Sequence, residues 1–212
     1  HMDELMEGVG ERLAELTGAE WGYVASGCAA AMTQITAACM AGADPEKIAR
    51  LPDTTGMKDQ VIVQKTHRNV YDHAVRMAGA KMIEVVTRAD LEAAINDRTA
   101  MFYILGSAHD RGETPIGEMI EIGHRHGIPS QVDAAAERPD VPNYYLGLGA
   151  DAVVYSGGKC LRGPQASGLA LGRKDLLQAA FLNGAPHHSL GRPMKAGKEE
   201  IMGLLAAVEA WV

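Results

Sequence analysis

The sequence predicts an α/β protein: a three-layer α/β/α arrangement around a mainly parallel central sheet. Three observations predict it. Segments with strand and helix patterns alternate nearly throughout the chain. Its 212 residues, 47% of them hydrophobic, suit one domain of that class with a real core. The residues with chemical potential fall just beyond strand ends, where ligands bind on such sheets.

Each element follows from its local pattern. Leu5, Met6, Val9, Leu13 and Leu16 recur at helical spacing from Asp3 to Leu16, and Gly18 is placed as a stop. WGYV is a short strand, and SGC leads into AAAMTQITAACMAG, an Ala-rich apolar helix of the buried kind. ADPEKIARLPDTTGMKD is polar and turn-rich. VIVQ is a strand, NVYDHAVRMAG a helix, KMIEVV a strand, ADLEAAIN a helix and AMFYILG a strand. PIGEMIEIGHRHG forms a helix before the strand IPSQVD. DAVVYS and GLALG are strands, RKDLLQAAF is a helix, and KEEIMGLLAAVEAWV is a helix whose apolar stripe (Ile201, Leu204, Leu205, Val208, Trp211) must be covered.

A formal charge of -7 weighs against a nucleic-acid surface. The cysteines Cys28, Cys39 and Cys160 show no CxxC pairing, as expected of free thiols in a reducing, cytoplasmic compartment. No apolar run reaches membrane-spanning length, so no membrane partner is expected.

At the first strand–helix junction, Ser26 and Gly27 precede a helix N-terminus, a ready anion site, although a plain Ser cap is the commoner use. Asp133 ends an apolar strand before three alanines. A carboxylate buried there needs a metal, an Arg or a protonated ring nitrogen, or else serves as a structural cap. His67 at a strand end could be a base, a ligand or a flat stacking surface. The histidines do not cohere into HExxH or finger-type pairs, so no metal site is expected. In YSGGKCLRGPQ, Lys159 lacks P-loop spacing, because Val153 and Cys160 stand where glycine and Ser or Thr are needed. A glycine-flanked lysine near an anion site and a carboxylate fits a Schiff-base lysine, made nucleophilic by partial burial and neighbouring cations. The cofactor that needs such a lysine, a phosphate cup, an acid for a pyridinium nitrogen and a stacking residue is pyridoxal 5'-phosphate (PLP). Gly157 and Gly158 would let the backbone pass close to it.

VDAAAERP, GADAVVYSGGKCLRGPQASGLALGRKDL and GRPMKAGKEEIMGLLAAVEAW resemble the selenocysteine-synthase-like branch of fold-type I PLP enzymes, above all the D-glucosaminate-6-phosphate ammonia-lyase group. AELTGAEWGYVASGCAAAMTQITAACMAG and LPDTTGMKDQVIVQKTHRNVYDHAVRMAGAK resemble that group too. The resemblance implies that Lys159 carries the cofactor, that Asp133 partners the pyridinium nitrogen, and that Ala135 packs under the ring. It implies a phosphate cup of Ser26, Gly27 and Cys28 with Ser156, and stacking by His67, with Tyr71 as the alternative. Arg68, Gln165, Arg192 and Lys195 are implied substrate contacts. The implied reaction is an α,β-elimination or deamination of a small amino acid or amino-sugar acid, in a homodimer or larger assembly with shared sites. Selenium transfer on seryl-tRNA and a catalytically incomplete PLP-binding core stand as alternatives. Members of the family are longer. Residues 1–196 are therefore expected to form the PLP-binding large domain, and 197–212 to begin the helix leading to a missing C-terminal small domain.

Overall fold

The structure, a computed structural model, describes residues 1–137 and 144–212. Helix α1 (Met2–Thr17) stops at Gly18, which takes the left-handed conformation with φ 74°. Strand β1 (Trp21–Ala25) runs into α2 (Cys28–Ala41). A short α3 (Pro45–Arg50) lies inside the stretch expected to be turns; Asp44 caps its first amides and Pro45 opens it. After β2 (Gln60–Gln64), the expected helix NVYDHAVRMAG is only partly helical. Asn69 caps a 3₁₀ turn at Val70–Asp72, and α4 is confined to His73–Met77. Then follow β3 (Lys81–Val85), α5 (Arg88–Ala94), β4 (Thr99–Leu105), α6 (Ile116–Arg125) and β5 (Ser130–Asp133). The chain continues through α7 (Tyr144–Gly147), β6 (Ala152–Ser156), β7 (Gly168–Gly172), α8 (Lys174–Leu182) and α9 (Lys198–Glu209).

The strands form one sheet in the order β1-β7-β6-β5-β4-β2-β3. Only β7 runs against its neighbours, pairing antiparallel with both β1 and β6. The sheet is thus mainly parallel, and β1, β2, β4, β5 and β6 deliver their carboxyl ends to one rim. Both faces are covered, since Ala100 to Ile104 of β4 are buried without alternation. Phe102 lies beneath Gly123 of α6, where a Cβ would sit 3.5 Å from its ring. By strand alternation Tyr103 points to the opposite face, the one crossed by α2. The stripe of α9 is covered from within: Ile201, Leu204, Leu205 and Val208 are buried, and α9 packs on α1 and β1. Among the described residues no helix is long and apolar enough to cross a membrane.

At the rim β7 begins with Gly168, paired with both Ala25 and Ser156. A Cβ there would lie 2.2 Å from the Gly27 carbonyl carbon and 2.4 Å from the Cys28 nitrogen. Both are backbone atoms that a side-chain rotation cannot move away. Gly168→Ala is therefore expected to destabilise the fold by about 1–3 kcal/mol through overpacking, read as a lower urea midpoint at unchanged slope. A midpoint equal to that of the parent would show that the β1–α2 turn can yield.

Candidate active site

The first component is the turn between β1 and α2. Its N-cap, Gly27, has extended backbone (φ 165°), offers no side-chain cap, and is followed by no acidic residue in the first turn. A Cβ on Gly27 would meet nothing within 4 Å, so open space faces the free amides. Ser26 is half-buried beside it and Cys28 is buried. A 14-residue helix with uncapped amides and a neighbouring hydroxyl is built to receive an anion.

The second component is Asp133, buried at 4% exposure at the end of β5. Oδ1 accepts the Ala135 N–H at 3.1 Å and the Cys28 thiol at 3.7 Å, and Oδ2 accepts the Tyr103 hydroxyl at 3.1 Å. Burial raises the pKa of Asp133, while these donors and the charge of Lys159 pull it down. The thiol of Cys28 is also raised, first by burial and then by the Asp133 charge. The other buried aspartates are paired with basic side chains. Asp59 meets Arg98 and Lys81, Asp72 meets Arg68 and Arg76, and Asp151 meets Arg173. Among the described residues no basic side chain lies within ion-pair distance of Asp133.

The third component is Lys159, on the connection from β6 to β7. That loop is tightly tied: Gly157 N–H donates to Ser167 O at 2.9 Å, and Gly163 N–H to Gly157 O at 2.7 Å. Gln165 Nε2 donates to Gly158 O at 3.1 Å. Lys159 is exposed rather than partly buried, because the glycine turn lifts it off the strand end. Its Nζ stands 5.7 Å from the centroid of the Tyr71 ring, within cation–π range.

Of the two candidate stacking residues, Tyr71 is the ring that faces Lys159. His67 is fully buried, and backbone groups occupy both of its ring nitrogens. The Leu105 N–H points at Nδ1 (3.4 Å), so Nδ1 accepts; Nε2 then carries the proton and donates to Arg111 O at 3.0 Å. Burial holds the imidazole below its ordinary 6.5, in the neutral form. Since that folded value is depressed, stability from neutral His67 is complete above pH 6.5 and drains as pH falls through the lower folded value. His67 thus anchors the 106–114 loop to the rim. Gln64 does the same, exchanging hydrogen bonds with both backbone groups of Thr114.

Among the other expected site residues, Ala135 and Ser156 lie at the rim, where Ser156 N–H donates to Ala135 O at 3.3 Å. Arg68 is committed to Asp72 and Glu84. Gln165 spends its amide on the Lys159 loop. Arg192 and Lys195 are exposed and make no ion pair among the described residues. They flank Met194, which with Tyr71, Ala29 and Ala30 lines an apolar groove of about 360 Å³. Arg138 and Pro139, the end of VDAAAERP, lie outside the described residues. Sequence reasoning missed Tyr103 and Asn69. The one visible signal was a polar-tipped residue in the otherwise apolar strand AMFYILG.

A sequence model described as "Cys/Met metabolism PLP-dependent enzyme" matches residues 4–185. The chain belongs to that family of pyridoxal phosphate-dependent enzymes. It is 36% identical to a Streptomyces 5'-C-glycyluridine monooxygenase-decarboxylase, over 99% of this chain and 54% of that protein. It is 35% identical to the D-glucosaminate-6-phosphate ammonia lyase of Salmonella typhimurium, over 98% of this chain and 58% of the relative. An L-seryl-tRNA(Sec) selenium transferase of Serratia proteamaculans is 26% identical over 96% of this chain and 45% of its own length. A solved D-glucosaminate-6-phosphate ammonia-lyase superposes with TM-score 0.92 at 33% identity, covering all of this chain and 58% of the other. A cystathionine γ-lyase structure at 18% identity and TM-score 0.67 shares the fold. The chain spans little more than half the length of the first two relatives.

The residues present fit the family's cofactor. A buried carboxylate lacks a cation among the described residues, an uncapped helix end with open space can take a phosphate, and an amine stands at the same rim.

Two outcomes follow. Gly27→Ala should leave the unfolding free energy, measured in urea, within about 0.5 kcal/mol of the parent, because its backbone is extended and the space is open. It should nonetheless weaken binding of inorganic phosphate or PLP at least several-fold, read by isothermal calorimetry. Unchanged affinity would place the anion elsewhere. Because the folded pKa of Asp133 is raised, the native state binds its proton more tightly than the unfolded chain, and Asp133 subtracts stability as pH rises above its ordinary 3.8. Asp133→Asn should therefore melt higher than the cofactor-free parent at pH 7, with the gap closing toward pH 4. A gap that is flat or reversed across that range would contradict the assigned burial cost.

Proposed function

We propose that this chain is the cofactor-binding part of a PLP-dependent lyase, eliminating or deaminating a small amino acid or amino-sugar acid. The observation that carries the reading is the convergence, at one rim, of the Lys159 amine, the buried carboxylate of Asp133, which has no ion-pair partner among the described residues, and the open helix end at Gly27. The chemistry a bound PLP supplies is an electron sink for the pair left when a substrate loses its α-proton. The side chains act around it. Lys159 would hold the cofactor covalently through Nζ, and the same amine, when free, would accept the substrate's α-proton. Asp133 holds a proton on the ring nitrogen. Ser26, Gly27, Cys28 and Ser156 hold the phosphate, and Ala135 supports one ring face. Tyr71 supplies the aromatic surface on the Lys159 side, and His67 acts as the anchor of the adjoining loop. Arg192 and Lys195, unpaired among the described residues, offer cationic ends for a substrate carboxylate or phosphate; Arg68 and Gln165 would first have to give up their present partners.

The relatives' names span a lyase, a transferase and a monooxygenase-decarboxylase, so the final step is what needs testing. The lyase reading is favoured by the match to the ammonia lyase in both sequence and structure. Selenium transfer is less favoured, given the lower identity and the formal charge of -7. We further propose residues 1–196 as the large domain and 197–212 as the lead into a smaller C-terminal one. We also propose a cytoplasmic setting consistent with three free thiols, and a homodimer that covers the exposed Val70, Tyr71 and Met77 beside the groove. Sedimentation of a PLP-loaded monomer at micromolar concentration would count against the dimer.

Borohydride treatment of PLP-loaded protein should bleach the visible band and leave a pyridoxyl mass on Lys159; that mass on Lys65 or Lys195 would overturn the assignment. Lys159→Ala should lose the mass and at least about 10³-fold in turnover. Ammonia release from small amino acids and phosphorylated amino-sugar acids, measured alongside oxygen uptake and seryl-tRNA binding, separates the three chemistries. Oxygen uptake without ammonia release, or selenium incorporation into bound seryl-tRNA, would replace the lyase reading.

A further inference from the structure

One side chain touches both halves of the site. The Asn69 amide lies between the end of β2 and the end of β4. Its Nδ2 donates to the Tyr103 hydroxyl at 2.9 Å and to His67 O at 3.1 Å. Its Oδ1 accepts the Tyr71 N–H at 2.8 Å. Tyr103 in turn donates to Asp133 Oδ2 at 3.1 Å, and the Tyr71 ring faces Lys159 Nζ. Every polar atom of the amide is used, and an asparagine so constrained has one orientation that satisfies all its partners. With its oxygen engaged by an Asn69 N–H, the Tyr103 hydroxyl has its proton directed at the carboxylate.

We propose that Asn69 and Tyr103 are positioning residues: a single amide sets together the ring facing Lys159 and the hydroxyl donated to Asp133. The relay rests on the functional reading above for its meaning, but its geometry belongs to the chain itself. Asp133 faces Cys28 from α2, Tyr103 from β4 and Lys159 from the β6–β7 loop. Of these neighbours, Tyr103 is the one hydrogen-bonded to Asn69, whose Oδ1 holds the Tyr71 N–H. A donor to the ionised form lowers a carboxylate pKa, so removing it must raise the midpoint.

The test uses the cofactor-free 212-residue chain, with carbon NMR titration of the Asp133 carboxyl and hydrogen exchange of the Tyr71 amide. Tyr103→Phe keeps the ring and deletes the hydroxyl. It should raise the Asp133 midpoint by about one unit and leave Tyr71 exchange unchanged. Asn69→Ala should raise the midpoint and also speed Tyr71 exchange at least about tenfold, since it frees that amide. A merely structural role would lower the melting temperature without this division of effects. An Asp133 midpoint that does not rise in either variant, or Tyr71 exchange unchanged in Asn69→Ala, overturns the relay. If Tyr103→Phe does not fold, Asn69→Ala decides alone through the same two readouts. Because neither readout needs PLP, absence of PLP binding by the parent would sink the functional reading while leaving the relay to stand or fall separately.

Discussion

The carboxylate of Asp133 is the constraint around which the rest is arranged. A charge at 4% exposure, with no basic partner among the described residues, is expensive, and hydrogen bonds must offset much of that cost. Its donors come from three places: the thiol at the start of α2, the hydroxyl of β4, and the backbone of its own following turn. For all three to reach one carboxylate, α2 must lie close against the sheet. Its composition permits this. Ala30, Ala31, Ala37, Ala38 and Ala41 are buried, so the helix backbone can approach where larger side chains would hold it away. Gly168 extends the same logic, bringing β7 to within a Cβ's width of Gly27.

The lysine is held by a different device. Because β7 runs antiparallel to β6, the segment between them is a return connection that starts and ends at the rim. Gly157 and Gly163 sit over Leu204 of α9, where a Cβ on either would come within 2.9 or 3.1 Å of that side chain. Arg162 adopts φ 56°, a conformation costly for a residue with a side chain, and lets the loop close on itself. The apolar stripe of α9 therefore does more than fill the core. It is the floor on which the Lys159 loop rests.

Much of this was legible in sequence. Period-two and period-3.6 patterns located nearly every major element, and strand ends pointed to Ser26, Asp133 and Lys159. What escaped detection depends on contacts across the chain. NVYDHAVRMAG has helical composition, yet Asn69 draws its first turn into a 3₁₀ cap and uses its amide on Tyr103, 34 residues away. His67 looked available at a strand end, but whether a ring is open or bonded on both nitrogens is set by Leu105 and Arg111. The Arg68 pairing with Asp72 had only a spacing signal, four residues apart, because Arg68 and Asn69 are extended rather than helical. The second partner, Glu84, had none.

The contrast among the described buried aspartates supports the place proposed for the chemistry. Asp59, Asp72 and Asp151 each sit against arginine, so the fold can supply a buried carboxylate with a cation at several places. At Asp133 the described residues supply a thiol, a phenol and an amide instead, none of which neutralises the charge. The nearest relevant amine, Lys159, stands outside ion-pair distance and over an aromatic ring. The adjacent helix end is likewise left without a side-chain cap, although Asp44 and Thr87 cap other helices of the same chain. Two deficits of opposite sign, one wanting a cation and one wanting an anion, thus lie on a single rim. A group carrying both a protonated ring nitrogen and a phosphate satisfies them together, which neither a metal ion nor a lone anion would do.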